Sequence, residues 1–375
     1  MMDPVCDLIL LSWNHLEQTK PCLESLFRTV RTPVRLLIVD NGSELDVRAF
    51  LRSVKPQGSV TEVVLLQNET NEGFPRGMNR GIRASEAPYV CLLNNDLLFT
   101  PGWLEEMLEV AKCSPQVGIV NPTSNNFNNR PPAGVSLDAY AQQLRRLTGQ
   151  FTEVGMCIGF CFFITRQVLD RIGGLTEEVE RIFFEDEDFS VRAQHAGFQC
   201  VVAEAAYVFH AEHQTVGKMP EREALFTKNR QWCHGRWGRW VRMAWPRFTP
   251  VVPGSEELRG WLERLLGWAR RRSHVYVYSP LPQGMTKNEL FRSVGLVPHA
   301  DIRWYPIPPW IPRLAAAGSI LSRQRKRFDI IVAPDERWAQ SVARFARLHR
   351  AEVVPAADEE QLRVQWETSR SQLSS

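Results

Sequence analysis

The chain holds 375 residues with a formal net charge of +3, 44% of them hydrophobic and 23% charged. Such a length exceeds one ordinary domain, and the composition excludes a disordered or fibrous chain and supplies enough apolar residues for a core. So small a net charge gives no ground for nucleic acid as a partner and leaves an anionic substrate open.

In chain order, Leu8–Leu11 reads as a buried strand and Thr19 to Arg28 as a helix with Cys22, Leu23, Leu26 and Phe27 on one face. Leu36–Val39 is a second strand, ended by the turn Asp40-Asn41-Gly42-Ser43, and Ser43 with Asp46 resembles a helix-capping pair. Val63–Leu66 is a third strand, Arg76–Ala84 a helix, and Tyr89–Leu93 a fourth strand. Continuous apolar strands alternating with helices predict an α/β fold with a mostly parallel sheet covered on both faces.

Asn121–Pro132 reads as a loop, Met156–Ile164 as an apolar run, and Arg166–Ile172 as a short helix stopped by Gly173-Gly174. Asp186–Ala196 is helical and Phe198–Phe209 returns to strand. Beyond about residue 220 the chain turns rich in Trp and Arg, and Ser255–Arg272 is amphipathic, with Leu258, Trp261, Leu262, Leu265 and Trp268 on one side. His274–Tyr278, Phe328–Val332 and Glu352–Val354 suggest a small C-terminal α/β unit. The expected divisions are 1–220, a catalytic domain; 221–272, a helical Trp/Arg segment; 273–358, the small α/β unit; and 359–375, a polar tail.

None of the eight cysteines forms a C-x-x-C pair, and several fall in apolar runs, so buried thiols in a reducing cytosol are expected. Met1–Val5, short and acidic before the first apolar run, does not read as a leader, and no apolar stretch nears the ~20 residues that span a bilayer. The expectation is a cytoplasmic protein, at most peripheral at the inner membrane face. Lys228 to Arg247 carries Trp232, Trp237, Trp240 and Trp245 among five arginines. That run suits either an anionic lipid surface or a helix packing its tryptophans on the domain, and packing is the preferred reading.

Polar residues collect where strands end: Ser12-Trp13-Asn14, Asp40 to Ser43, Asn68 to Asn79, and Asn94-Asn95-Asp96. Ligands of parallel sheets bind at such carboxyl ends. A hard divalent cation takes carboxylate and carbonyl oxygens there, while a solvated turn would account equally for Asn and Asp. Phe183-Phe184-Glu185-Asp186-Glu187-Asp188 places four carboxylates behind two aromatics that would shield one from water and raise its pKa, as suits a general base. The competing reading is an acidic helix N-terminus. His210 and His213 follow the Phe198–Phe209 strand, where either could be structural or a metal ligand.

Together these segments, with Asn71-Glu72-Gly73-Phe74 through Gly77, Asn79 and Gly81, then Gly159 to Thr165, Gly173-Gly174-Leu175 and Phe209-His210, resemble family-2 glycosyltransferases over about residues 5–215. The likeness is to the bacterial branch that holds rhamnosyltransferases. It implies a GT-A type fold, a nucleotide-sugar donor (UDP-, dTDP- or GDP-linked), a carbohydrate or lipid-linked acceptor, and Mn²⁺ or Mg²⁺. By the same resemblance Asp186, with Glu185, is the catalytic pair, and Asp96 and His210 hold the metal. The donor is met by Ser12, Asn14, Asp40, Asn41, Arg76, Asn79, Asn94 and Asn95. Asn94 departs from the family's D-x-D pattern and offers a neutral, weaker ligand. A single displacement with inversion follows, since no second carboxylate is placed to form a covalent intermediate. The rival readings are a sugar nucleotidyltransferase, which would need a glycine-rich loop at Ser12 to Leu16, and a catalytically idle binding module.

Overall fold

The structure, a computed structural model, describes residues 3–211, 221–323, 326–358 and 361. It divides into two compact units: unit 1, Met1–Thr152 and Met156–Cys233, and unit 2, Glu153–Gly155 and His234–Ser375.

The strands of unit 1 are β1 (Cys6–Ser12), β2 (Val34–Asp40), β3 (Val60–Gln67), β4 (Tyr89–Asn94), β5 (Leu97–Phe99), β6 (Val117–Thr123), β7 (Phe151–Glu153), β8 (Cys161–Thr165) and β9 (Gln199–His210). They form one sheet in the order β3-β2-β1-β4-β8-β6-β9-β5, with β7 also paired to β9. The first four are parallel, as their unbroken apolar runs require. β8 runs antiparallel to β4 and β6, and β5 antiparallel to β9. Strand order reverses at β1, so the crevice beyond the ends of β1 and β4 is where a ligand is expected.

The helices of unit 1 are α1 (Leu16–Thr29), α2 (Leu45–Ser53), α3 (Phe74–Arg83), α4 (Trp103–Lys112), α5 (Leu137–Leu144), α6 (Arg166–Ile172) and α7 (Glu185–His195), with α8 (Arg222–Trp237) leading out of it. On α3, Gly77 and Gly81 stand one turn apart over β1. A Cβ at Gly81 would lie 2.3 Å from Ile9 Cγ2, and one at Gly77 2.6 Å from Leu11 Cδ1. Two missing side chains thus let this helix lie against the sheet at backbone distance.

Two local expectations are corrected. Ser43 does not cap α2: its Oγ accepts the Asn14 N–H at 3.0 Å, and Glu44 stands at the N-cap position with no side-chain cap. Asn121 to Thr123 are not loop but the end of β6, and Asn125–Phe127 form a single helical turn beyond it.

Unit 2 carries a second, wholly parallel sheet of β10 (Val241–Pro246), β11 (Ser273–Ser279), β12 (Ile302–Pro306), β13 (Ile330–Ala333) and β14 (Glu352–Pro355), ordered β12-β11-β10-β13-β14. Alternate residues serve its two faces. Val241, Met243, Val275 and Val277 pack with Leu262 and Leu265 of α9 (Glu256–Ala269), while Ala244, Tyr276 and Tyr278 pack with Ile320 and Trp338. The segment 221–272 is therefore not helical throughout. Its Val241–Pro246 portion is the central strand of this sheet, because a two-residue period buries Met243 and Trp245 where Trp and Arg spacing suggests a helix. Trp245 lies in the core, Trp240 stacks on His274 at 4.8 Å, and the Arg242 and Arg247 guanidinium groups cover Tyr276 and Trp261. Those four side chains act in packing. Among the described residues no helix is long and apolar enough to cross a membrane. Seven of the eight cysteines are buried and all are unbridged.

Candidate active site

A cavity of about 510 Å³ opens in unit 1 beyond β1 and β4. Its first wall is the turn Asn94-Asn95-Asp96 with His210. These residues meet because β5 runs antiparallel to β9 with Leu97 opposite His210. The Ala211 N–H donates to the Asp96 carbonyl at 3.0 Å, and His210 Nε2 stands 3.1 Å from Asp96 Oδ1. The imidazole is fixed from several sides. Phe160 stacks on it at 5.3 Å, Asn125 bonds both its backbone groups at 2.8 Å, and Asn126 Nδ2 lies 2.7 Å from Nδ1.

A second part of the lining is the start of α7. Arg181, Phe183 and Phe184 all hold positive φ (58°, 78° and 72°), which costs a non-glycine residue about 1–3 kcal/mol each. What holds this path is the loop before α3. Gly73 sits at φ 86°, a Cβ there would lie 2.8 Å from Arg181 Cα, and the Phe74 N–H donates to the Arg181 carbonyl at 2.7 Å. The strained approach delivers Glu185 and Asp186 to the cavity. Burial, reinforced by the neighbouring Asp186, pushes the Glu185 carboxyl up to about 8, and its Oε2 is buried without a hydrogen-bond partner. Burial also lifts Asp186, to about 6, against the N–H groups of Gly159 (3.1 Å to Oδ2) and Glu187 (2.8 Å to Oδ1). Asp188 is engaged otherwise: it is wholly buried and pairs with Arg192 at 2.8 Å, whose other donors hold the carbonyls of Ile172 and Gly174.

Of the residues expected at the site, Asn41, Asn94, Asn95, Asp96, Glu185, Asp186 and His210 line the cavity. Ser12, Asn14, Asp40, Arg76 and Asn79 do not. Ser12 is buried beside Thr19, which also accepts the Asn95 amide at 2.9 Å. Asn14 accepts the Glu44 N–H, and Asp40 is buried, taking the Ser43 N–H at 2.9 Å and the Gln67 amide at 3.1 Å. Arg76 faces Glu177 at 3.6 Å, and Asn79 bonds Leu175 N–H and C=O at 2.8 Å, fixing the turn after Gly174. Even Asn41 spends its amide within the protein, on Asn71, Gly73, Asn68 and Glu72, and so shapes the loop rather than reaching outward. His213 lies outside the described residues. The sequence reading gave no site role to Asn126, Asn121, Gly159 or Phe160, although the last two lie in a run that carries the resemblance. Asn121 holds the Gly159 loop through Ile158 N–H (2.7 Å) and Cys161 C=O (2.6 Å). Consecutive asparagines directly after an apolar strand were the available signal for Asn125 and Asn126.

Residues 4–237 match the family model described as glycosyltransferase like family 2. The chain belongs to that family. This family-2 glycosyltransferase is 26% identical over 253 residues to an uncharacterized Sinorhizobium fredii protein, y4gI, covering 62% of this chain but only 28% of that one. It is 26% identical over 254 residues to the N-acetylglucosaminyl-diphospho-decaprenol L-rhamnosyltransferase of Mycobacterium tuberculosis, covering 58% of this chain and 78% of the other. Among solved structures it is similar to a mannosyltransferase from Pyrobaculum calidifontis held with GDP-Man and Mn²⁺. That match has a TM-score of 0.44 and 16% identity, and covers 57% of this chain and 59% of that one. The GT-A type α/β sheet of the glycosyltransferase lies within the matched residues.

Proposed function

We propose that unit 1 moves a sugar from a nucleotide-diphosphate donor onto an acceptor hydroxyl, with inversion at the anomeric carbon and with Mn²⁺ or Mg²⁺. The observation that carries this reading is one cavity lined both by Asp96 with His210 and by a desolvated Glu185–Asp186 pair. The Mycobacterium relative, an N-acetylglucosaminyl-diphospho-decaprenol L-rhamnosyltransferase, supports a lipid-linked saccharide as acceptor; a UDP-, dTDP- or GDP-sugar as donor rests on the family resemblance of the sequence.

The donors fit a hard cation. Asp96 Oδ1 is buried without a hydrogen bond and faces His210 Nε2 at 3.1 Å. Adjacent ligands of an octahedron with bonds of 2.0–2.1 Å stand about 3 Å apart, so the spacing matches one octahedral edge. Asn126 Oδ1 is likewise buried and unpartnered. Turning its amide over would let its oxygen accept a hydrogen bond from His210 Nδ1–H, the tautomer whose Nε2 can ligate a metal. Among the described residues no third His, Cys, Asp or Glu joins this pair. That suits a cation whose other positions are filled by donor phosphates and water. When bound, the cation would neutralise charge on the departing diphosphate.

The chain's own groups supply the remaining chemistry. Asp186, ionised above about pH 6, accepts the acceptor hydroxyl's proton, while Gly159 and Glu187 hold its two oxygens in place. Glu185 stays protonated at neutral pH, so it adds a donor to the pocket without a second negative charge against the diphosphate. Phe183 and Phe184 exclude water behind the pair. A transfer assay with Mn²⁺ or Mg²⁺ tests the reading: Asp96→Ala should abolish turnover with the fold intact, and His210→Ala should weaken it less. Full transfer in excess EDTA would remove the metal from the scheme.

A further inference from the structure

In unit 2 the helix Pro312–Leu321 runs beside the short helix Ala346–His349. This region holds five of the eight large apolar side chains that stand exposed among the described residues: Trp310, Ile311, Leu314, Phe345 and Leu348. Trp310 is 76% exposed and Leu314 74%, values that leave about three quarters of each in water. Pro308, Pro309 and Pro312 flank Trp310 and Ile311, and their fixed φ stiffens the turn that presents them. Folded proteins rarely leave such a group of apolar side chains open unless something covers it.

The charge around it is one-sided. Between Trp310 and Arg350 the sequence carries nine Arg and Lys against three Asp and Glu, a net of +6 in a chain whose total is +3. Asp335 is already paired with Arg313 at 2.8 Å. Arg344, Arg347 and Arg350 are exposed and make no ion pair among the described residues.

We propose that this face of unit 2 docks on an anionic lipid surface, with Trp310, Ile311 and Leu314 at headgroup depth and Arg344, Arg347 and Arg350 on lipid phosphates. Trp and aliphatic side chains ringed by Arg are the composition that interfacial binding requires, since buried apolar area and attraction to anionic lipid add. A second copy is the weaker occupant. A two-fold contact would lay this same patch on itself and bring arginine against arginine. The surface is distinct from the Lys228 to Arg247 run, whose Trp245 and Arg242 are spent in packing.

The test is co-sedimentation of the full chain with vesicles of phosphatidylcholine alone and of phosphatidylcholine mixed with phosphatidylglycerol, which reads binding without any sugar transfer. Binding should need phosphatidylglycerol and weaken as salt rises. Trp310→Ser with Leu314→Ser, and separately Arg344→Glu with Arg347→Glu, should each lower partitioning at least about tenfold. The thermal midpoint of both should stay at the parent value, since all four side chains are exposed. Arg230→Glu with Trp232→Ala should bind vesicles as the parent does. No binding to the anionic vesicles, or parent-like binding by both double variants, overturns the proposal. So does a dimer in sedimentation velocity that the Trp310/Leu314 variant splits while vesicles go unbound, because the patch would then belong to a second copy.

Discussion

Asp186 and Asp188 sit two positions apart on α7, yet their surroundings assign them different work. Asp186 faces the cavity with both oxygens steadied by backbone N–H groups, whereas Asp188 holds Arg192 in the interior. Asp186→Asn should therefore lower transfer by about 10²–10⁴-fold with little change in nucleotide affinity by calorimetry. Asp188→Asn should lower the thermal midpoint instead, because the half-buried Arg192 loses its charged partner, and the folded fraction should still turn over. Parent-rate transfer by Asp186→Asn would place the base elsewhere. Asp186 and Glu185 together set the pH dependence. A base lifted by burial to about 6 is protonated, hence idle, below that pH, so kcat/KM should fall about tenfold per unit there. If the Glu185 proton is used as a donor, a second limb appears near 8, and Glu185→Gln, which keeps a donor, should erase that limb alone. A flat profile between pH 5 and 9 would contradict both assignments.

At the scale of elements, the first four strands of unit 1 were legible because parallel strands buried on both faces must be apolar throughout, as Leu8 to Leu11 and Leu36 to Val39 are. What depended on distant partners was not. The meeting of Asp96 and His210 follows from the antiparallel register of β5 on β9, which no local pattern encodes. Ser43 reads as a cap in isolation and is claimed by Asn14 across a loop. Val241–Pro246 is a strand because unit 2 builds its sheet around it. The α3–β1 contact was visible only as scattered glycines, and it yields a test. Gly81→Ala gains about 1 kcal/mol of helix propensity, but its methyl meets Ile9, a wholly buried β-branched side chain, at 2.3 Å. Overpacking of that kind costs about 1–3 kcal/mol, so the net effect should be a lowered midpoint in thermal unfolding. A stabilised variant would mean that α3 shifts away from the sheet without cost.

At the scale of the whole molecule, the family was legible over the part of the sequence where loop chemistry and sheet order are locked together. Unit 2 was legible as a small α/β unit but opaque in its role, because packing alone shapes its two cores. The balance of buried acids is also a property of the whole chain, and it opposes stability to function. Burial would raise Asp7, but the Arg35 guanidinium and the N–H groups of Ala87 and Glu86 outweigh it and hold the carboxyl below its ordinary range. Asp301 is similar: burial is outweighed by His274 and His299. Such depressed acids contribute stability that is present above their unfolded pKa and lost as pH falls through the folded one. Glu185, raised to about 8, runs the other way. Its contribution is full below the ordinary value of 4.5 and disappears as pH rises toward 8, since unfolding then releases a carboxylate from a site that resists its charge. Glu185→Gln removes that opposition. Its thermal midpoint should match the parent near pH 5 and exceed it at pH 8 to 9, by about 2–4 °C for each kcal/mol relieved. A midpoint below the parent's at pH 9 would show that Glu185 is ionised and stabilised in the fold, and with it the neutral-donor role in the cavity would fall.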